Sequence, residues 1–471
     1  MASIASLLAP TITPMPHQWQ TVEFWLSHFN SFNLSSCGSG KTLPTVLAIK
    51  ALFEHAARSK IMITAPLSVI TSTWAEHLEQ FAPEIPVVWL DNSSNRKKRI
   101  LAAGKDFHGI MIINPDGIQS LWHELCAWKP GLCVIDELAG YYRNFGTNRW
   151  KAMASLKYKT GMAMWACTGT PITKNLMDAY SQCLLVNPDR MPRMRNGKVM
   201  TYNAFRSMLM LNPAPHVWVP KDNAVEIVHN IMQPAIRFSR ADVMGSIKTP
   251  ILIRKEIALT PEQKKLMDEM IKDGKAKYGT SVIRAKEVMT LITKACQIAL
   301  GEVYDSKGNP IAIPAGPRLQ ALLDVYDEVE QTPIVVAVPY IAPMMKLADE
   351  LRLQGHRVAV VYGDTKQADR KEAIRAFQAG ELDFLLCHPK TMAHGVTLTK
   401  SSTVVWYGPL YDLELYAQLC DRIFRFGQTG QPLIIEFSST PIEKRIYASL
   451  RGKEQLSGSY LELFGGLNNA A

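Results

Sequence analysis

Two stretches of the chain alternate short apolar runs with longer segments whose apolar positions recur at helical spacing. In the first, Ile61–Ala65, Val87–Leu90, Gly109–Ile113, Leu132–Ile135 and Met162–Cys167 read as buried strands, with amphipathic segments such as Val69–Phe81 and Asn148–Leu156 between them. In the second, Ile334–Val338, Val358–Val361, Phe384–Cys387, Thr403–Trp406 and Leu433–Phe437 play the same part, separated by predicted helices at Ile341–Leu353, Gln367–Gln378, Leu413–Phe424 and Pro441–Leu450. Strand and helix in regular alternation predict parallel sheets, hence an α/β class with two such domains, over 1–187 and 316–471. Between them, 188–315 is rich in Met and basic residues and reads as helix-period sequence, so a helical accessory region is expected there.

Length and composition agree with this division. A chain of 471 residues exceeds what one ordinary core organises. With 47% hydrophobic and 20% charged residues it reads as globular, and no apolar run reaches the roughly 18 to 20 residues needed to span a bilayer, so no membrane association is expected. The amino end lacks the basic region and cleavage site of a secretory signal, and a cytoplasmic location is expected. The 8 cysteines form no C-x-x-C pair and several fall in strand-like runs, which predicts buried thiols and no structural metal. The net charge of +10, from 52 Lys and Arg against 42 Asp and Glu, would attract a polyanion without identifying one.

The chemistry concentrates in a few segments. Ser35-Ser36-Cys37-Gly38-Ser39-Gly40-Lys41-Thr42 fits a phosphate-cradling loop, with Ser35 in place of the first glycine of G-x-x-x-x-G-K-[ST]. In such a loop Gly38 and Gly40 let backbone N–H groups wrap phosphates at a helix N-terminus. Lys41 supplies charge to the β and γ phosphates, and the Thr42 hydroxyl reaches Mg²⁺. Asp136-Glu137 ends the apolar run Leu132–Ile135, where Asp136 is placed to hold Mg²⁺ through its water shell and Glu137 to orient and deprotonate an attacking water. Thr168-Gly169-Thr170-Pro171 follows another strand, and all three segments are expected to line one cleft at strand carboxyl ends. A nucleoside triphosphate, ATP with Mg²⁺, is the expected ligand. In the second stretch, Gln418 through Gln428 places Arg422 and Arg425 three positions apart on one helical face.

Together these segments resemble the superfamily-two helicases, and within them the Swi/Snf-type ATPases, including compact forms found in bacteria and their phages. The resemblance implies two RecA-like domains in tandem. It carries over Gln18 of His17-Gln18-Trp19-Gln20 as an adenine-reading residue. It likens Pro66–Ile70, with Ser68, and His388–Leu398, with Lys390, Thr391 and His394, to motifs that touch a nucleic-acid backbone. It makes Thr168, Thr170 and Gly395 coupling residues, and Gln418, Arg422 and Arg425 a motif whose arginines reach the γ-phosphate. Ala139 stands where the family usually has His, and Thr397 where it often has Asn. Closure of one domain on the other would complete the site, and alternating grip would step a monomer along DNA with little sequence preference. Three readings follow: a DNA translocase with helicase or branch-migration activity on duplex, forked or branched DNA; a duplex translocase without strand separation; and a nucleotide-switched DNA clamp.

Overall fold

A computed structural model describes residues 14–465 apart from 56–58, 92–93, 216, 240–241, 244–247, 280, 286, 393–396 and 425–427; of Ser68, Ser72, Val288 and 454–465 it describes the backbone alone. The chain divides into two compact units, 1–245 with 453–471, and 246–452.

The first unit is built on a parallel sheet. Its strands are β1 (Ser31–Asn33), β2 (Lys60–Thr64), β3 (Val87–Leu90), β4 (Gly109–Ile113), β5 (Leu132–Ile135) and β6 (Ala163–Cys167). A hairpin of β7 (Met210–Ala214) and β8 (Val217–Pro220) stands outside the sheet, and β9 (Ala235–Ile236) joins it at one edge. The spatial order is β3-β4-β2-β5-β6-β1-β9. Alternate residues feed two separate apolar layers. Met62, Met111, Cys133, Ile135, Met164 and Ala166 pack into one, and Ile61, Ile63, Ile110, Ile112, Val134 and Trp165 into the other. Because both faces are covered by helices, the strands read as unbroken apolar runs.

The second unit repeats the plan. It begins with β10 (Ile251–Glu256) and the hairpins β11 (Lys275–Tyr278) with β12 (Ser281–Arg284) and β13 (Glu302–Tyr304) with β14 (Pro310–Ala312). It continues with β15 (Ile334–Ala337), β16 (Val358–Val361), β17 (Phe384–Cys387), β18 (Thr403–Trp406) and β19 (Leu433–Ser438). The parallel sheet runs β10-β19-β18-β15-β17-β16, with Ile334, Val336, Leu386 and Val405 in one apolar layer and Val335, Ala337, Leu385 and Trp406 in the other.

The span 188–315, expected to be helical, is shared between the two units and carries strands as well as helices: β9 extends the first sheet and β10 the second. The cations Arg254 and Lys255 of that span are engaged in ion pairs. Arg254 lies 3.5 Å from Glu436, and Lys255 donates to both Glu328 oxygens at 2.7 Å. The basic run Arg96–Arg99 is a helical face, with Lys97 paired to Glu124 and Arg99 to Asp91.

One buried ion pair staples the second unit. Arg318, 1% exposed, donates to Glu443 at 2.8 Å, to the Ser439 hydroxyl at 2.7 Å and to the Tyr407 carbonyl. Glu443 in turn accepts the Ser439 and Thr440 backbone N–H groups at 2.7 and 3.0 Å. Removing one partner strands the other charge in a dry interior, so Arg318→Ala is expected to cost this unit about 3–5 kcal/mol. Chemical denaturation followed by tryptophan fluorescence checks this, and a midpoint equal to that of the parent chain would refute it.

Candidate active site

Strands β1, β6 and β5 are adjacent, parallel and in register, Asn33 beside Cys167 and Ala166 beside Ile135. The three segments that follow them therefore leave the same edge of the sheet. The Ser35–Thr42 loop, Asp136-Glu137 and the Thr168–Pro171 turn meet there as expected. Gly38 and Gly40 take φ of +79° and +74°, a region that side-chain-bearing residues rarely adopt. Thr42 opens the helix Thr42–His55 at this point. Lys41 Nζ donates to the Ser35 and Ser36 carbonyls at 2.9 and 3.0 Å, which holds the ammonium inside the loop.

The loop is gripped from three sides. From the helix Pro16–Ser27, Gln18 Nε2 donates to the Gly40 carbonyl at 3.3 Å, and a Cβ on Gly40 would fall 2.8 Å from that amide. Gln18 Oε1 accepts the Met15 N–H at 2.9 Å, so both ends of the amide bind backbone. His17, to which the sequence assigned no role, has Nε2 3.0 Å from the Ser39 carbonyl. From the segment after β9, Phe238 N–H donates to the Ser35 hydroxyl at 3.0 Å, and Ser36 N–H donates to the Phe238 carbonyl at 3.0 Å. Ser35 thus uses its hydroxyl to tie the loop to a segment 203 residues away, a contact no local pattern announces. From the turn after β6, Gly169 lies against Cys37, where a Cβ would sit 2.6 Å from Sγ and 3.0 Å from the backbone N. Gly169→Ala is therefore expected to push the phosphate loop out of shape and weaken nucleotide binding about tenfold, or ~1.4 kcal/mol. Titration with a fluorescent ATP analogue reads this directly, and unchanged affinity would refute it.

Asp136 and Glu137 occupy the end of β5. Trp74 Nε1 donates to Asp136 Oδ2 at 3.0 Å. Trp74 closes a π-helical turn, Ile70–Trp74, where the sequence predicts regular helix, and such turns recur at functional sites. Glu137 takes φ +59° and ψ 53°, a left-handed conformation that is strained for a residue with a side chain. The Cys167 thiol nearby is held well above its ordinary value, by burial first and by the Asp136 carboxylate second, and stays protonated. Ala139 is fully buried on the helix Leu138–Tyr142, where an imidazole in its place would need a polar partner.

Polar contacts brace the turn after β6. Thr168, buried, donates its N–H to the Asn33 carbonyl at 3.0 Å, and Thr170 N–H reaches the Thr168 hydroxyl at 3.4 Å. Arg143, just past the helix that follows Glu137, donates to the Thr173 hydroxyl at 3.0 Å, and Asp178 accepts from that hydroxyl and from the Thr173 and Lys174 N–H groups.

In the second unit, Gln418 and Arg422 lie one turn apart on the helix Leu413–Ile423, 0% and 4% exposed. Asp412 caps the helix by accepting the Glu414 and Leu415 N–H groups. Tyr416 anchors it, stacked on Trp406 and donating to Glu436 at 3.0 Å. At its other end Gln428 donates to the Ile423 carbonyl at 3.0 Å and the Ser401 carbonyl at 2.6 Å. Gln428 is thus a structural clamp behind the arginine. Arg422 offers its carbonyl to the Leu398 N–H at 3.0 Å. Lys390 is exposed and Thr391 half-buried after β17. Arg425, His394 and Gly395 lie outside the described residues, and only the backbone of Ser68 is described.

A glycine-rich loop with its lysine at a helix N-terminus, an aspartate-glutamate pair at the next-but-one strand end, and a second parallel-sheet unit with a capped glutamine-arginine helix define a nucleoside triphosphatase of the superfamily-two type. Residues 30–299 match the SNF2-related domain, and residues 317–427 the helicase conserved C-terminal domain. The chain belongs to the SNF2-related family, and is an ATP-dependent motor enzyme of the Swi/Snf type. It is 25% identical over 456 residues to protein p41 of Acyrthosiphon pisum secondary endosymbiont phage 1, covering 89% of this chain and 90% of that protein. It is 23% identical over 438 residues, 88% of its length, to the SWI/SNF-related matrix-associated actin-dependent regulator of chromatin subfamily A-like protein 1 of Xenopus tropicalis, of which it spans 41%. The SWI2/SNF2 ATPase core of Sulfolobus solfataricus, solved with double-stranded DNA, is 21% identical at a TM-score of 0.46, with 96% of this chain and 94% of that one covered.

Proposed function

We propose that this chain is an ATP-dependent DNA translocase that remodels or unwinds forked or branched DNA, hydrolysing ATP at a site shared by its two parallel-sheet units. The convergence of the phosphate loop, Asp136-Glu137 and the Thr168–Pro171 turn on one sheet edge carries the reading.

Lys41 offers its ammonium to the β and γ phosphates, and the Gly38–Lys41 backbone N–H groups surround them. Thr42 and Asp136 are the residues that would hold Mg²⁺. When bound, that ion would neutralise charge developing on the phosphates. Glu137 orients a water in line with the γ-phosphorus and takes its proton. Gln418 positions the arginine helix, and Arg422 and Arg425 carry their guanidinium groups to the transferring phosphoryl group when the units close. Thr168, Thr170 and Gly395 pass that change to the nucleic-acid grips, Ser68 on one unit and Lys390, Thr391 and His394 on the other. Contacts to phosphates and sugars position a protein without reading bases, so a single chain steps along DNA of any sequence. The net charge of +10 supports a polyanionic track.

The test is the ATP turnover rate with single-stranded, duplex, forked and four-way DNA and with RNA. Branched DNA is expected to stimulate most and RNA least. Turnover indifferent to every nucleic acid would overturn the reading. Strand release from a forked duplex, beside displacement of a triplex strand, separates unwinding from plain translocation.

A further inference from the structure

In the second unit, β11 and β12 form an antiparallel hairpin with one face buried and the other carrying exposed cations. Ala276 and Ile283, directly paired, are buried in the core of the unit, and Gly279 at φ +57° opens the turn. The opposite face therefore presents Lys275, Lys277 and Arg284, all exposed. Lys275 faces Arg284 across the ladder, and like charges in that position destabilise a sheet. Strand spacing sets Lys275 and Lys277 about 7 Å apart along the strand.

Among the described residues these cations lack the ion pairs that the neighbouring ones have. Arg254 and Lys255 meet Glu436 and Glu328, whereas among the described residues no carboxylate lies within ion-pair distance of Lys275, Lys277 or Arg284. Glu269, beside the hairpin, accepts the Lys277 backbone N–H at 3.0 Å. Backbone bonds tie the hairpin down, Ala285 N–H to the Gly274 carbonyl at 2.8 Å and Ser306 N–H to the Val282 carbonyl at 2.8 Å.

We propose that the exposed face of the β11–β12 hairpin is a nucleic-acid backbone grip of the second unit, separate from the loops after β17, in which Lys275, Lys277 and Arg284 each meet a phosphate. The proposal rests on the DNA-translocase reading above. Charge complementarity identifies the occupant: three exposed cations on one β surface, with no carboxylate at ion-pair distance among the described residues, suit the regularly spaced anions of a nucleic-acid strand. The hairpin would add affinity and salt dependence without sequence preference.

The test uses the full chain with Lys275→Ala, Lys277→Ala and Arg284→Ala combined. A control chain carries Lys98→Ala, Lys151→Ala and Lys159→Ala, exposed positions of the first unit. Binding of a fluorescein-labelled forked duplex is followed by anisotropy between about 50 and 200 mM salt. With each lost phosphate contact removing about 0.9 from the slope of log affinity against log salt, the hairpin variant is expected to lose about 2 to 3 from that slope and at least tenfold in affinity. Its ATP turnover without DNA should be unchanged, and its melting temperature should not fall, since the Lys275–Arg284 repulsion is removed. Lys277→Glu alone should weaken binding in the same direction. A hairpin variant whose slope and affinity match those of the control overturns the grip while leaving the translocase reading intact. Failure of nucleic acid to stimulate the parent chain's ATPase overturns that broader reading instead.

Discussion

Glu137→Gln is expected to yield a chain that binds ATP and does not hydrolyse it. The substitution keeps shape and hydrogen-bonding reach but removes the carboxylate proposed to accept the proton of the attacking water. Loss of a positioned general base slows a reaction about 10²- to 10⁴-fold. The backbone strengthens the case. Glu137 sits at φ +59°, a conformation costing about 1–3 kcal/mol that persists only where surrounding structure enforces it, and such strain gathers at active sites. Here the preceding residue is pinned by the Trp74 indole on Asp136, and the following helix, Leu138–Tyr142, buries Leu138, Ala139 and Tyr142. Turnover measured by phosphate release, with nucleotide affinity measured in parallel, gives the result. Parent-like hydrolysis would remove Glu137 from the chemistry.

Arg422→Ala is expected to have an effect of equal or larger size, from the other unit. An arginine that stabilises the charge of a transferring phosphoryl group is worth about 10³ to 10⁵ in rate. Its helix is braced along its whole length. Asp412 caps one end, Gln428 clamps the other, and Tyr416 ties the middle to β19 through Glu436. Arg422→Lys should recover little, because an ammonium lacks the planar two-pronged donor set of guanidinium. Nucleotide affinity in the absence of turnover should stay nearly that of the parent, since the binding contacts are proposed to come from the loop of the first unit. A normal rate for Arg422→Ala, with the melting profile of the second unit intact, would exclude the residue from catalysis.

How much of this was legible in the sequence depended on burial. Val87–Leu90, Gly109–Ile113, Leu132–Ile135, Val358–Val361, Phe384–Cys387 and Thr403–Trp406 appear with the boundaries that their apolar runs predict. These strands lie in helix-covered parallel sheets, which select for uninterrupted apolar sequence. The strand carrying the phosphate loop was not legible: β1 is three residues long, and two of them are the buried polar Ser31 and Asn33. β9 and β10 were missed for another reason. Each is added at a sheet edge by pairing with a strand remote in sequence, and Ile251–Glu256, largely exposed, looks locally like basic accessory sequence.

At the site, the candidate phosphate-binding residues were read from their spacing, because few residue types can hold a triphosphate. Their supports did not. His17 and Gln18 on the Gly40 loop, Ser35 on Phe238, and Gln428 behind Arg422 act through backbone atoms whose positions only the fold supplies. Gln18, read as a contact to the base, also reaches the loop through its amide nitrogen on the Gly40 carbonyl, while its amide oxygen accepts the Met15 N–H at the start of its own helix.

The proposal that residues of the two units act on one transition state is tested most directly by a double-variant cycle. ATP turnover is measured for Glu137→Asp, for Arg422→Lys and for the two combined, each partly active and each saturated with nucleotide and DNA. Groups that serve a single transition state are strongly non-additive, so the combined loss should fall well short of the product of the separate losses. A combined loss equal to that product would mean that Glu137 and Arg422 act independently, and the shared site would be refuted.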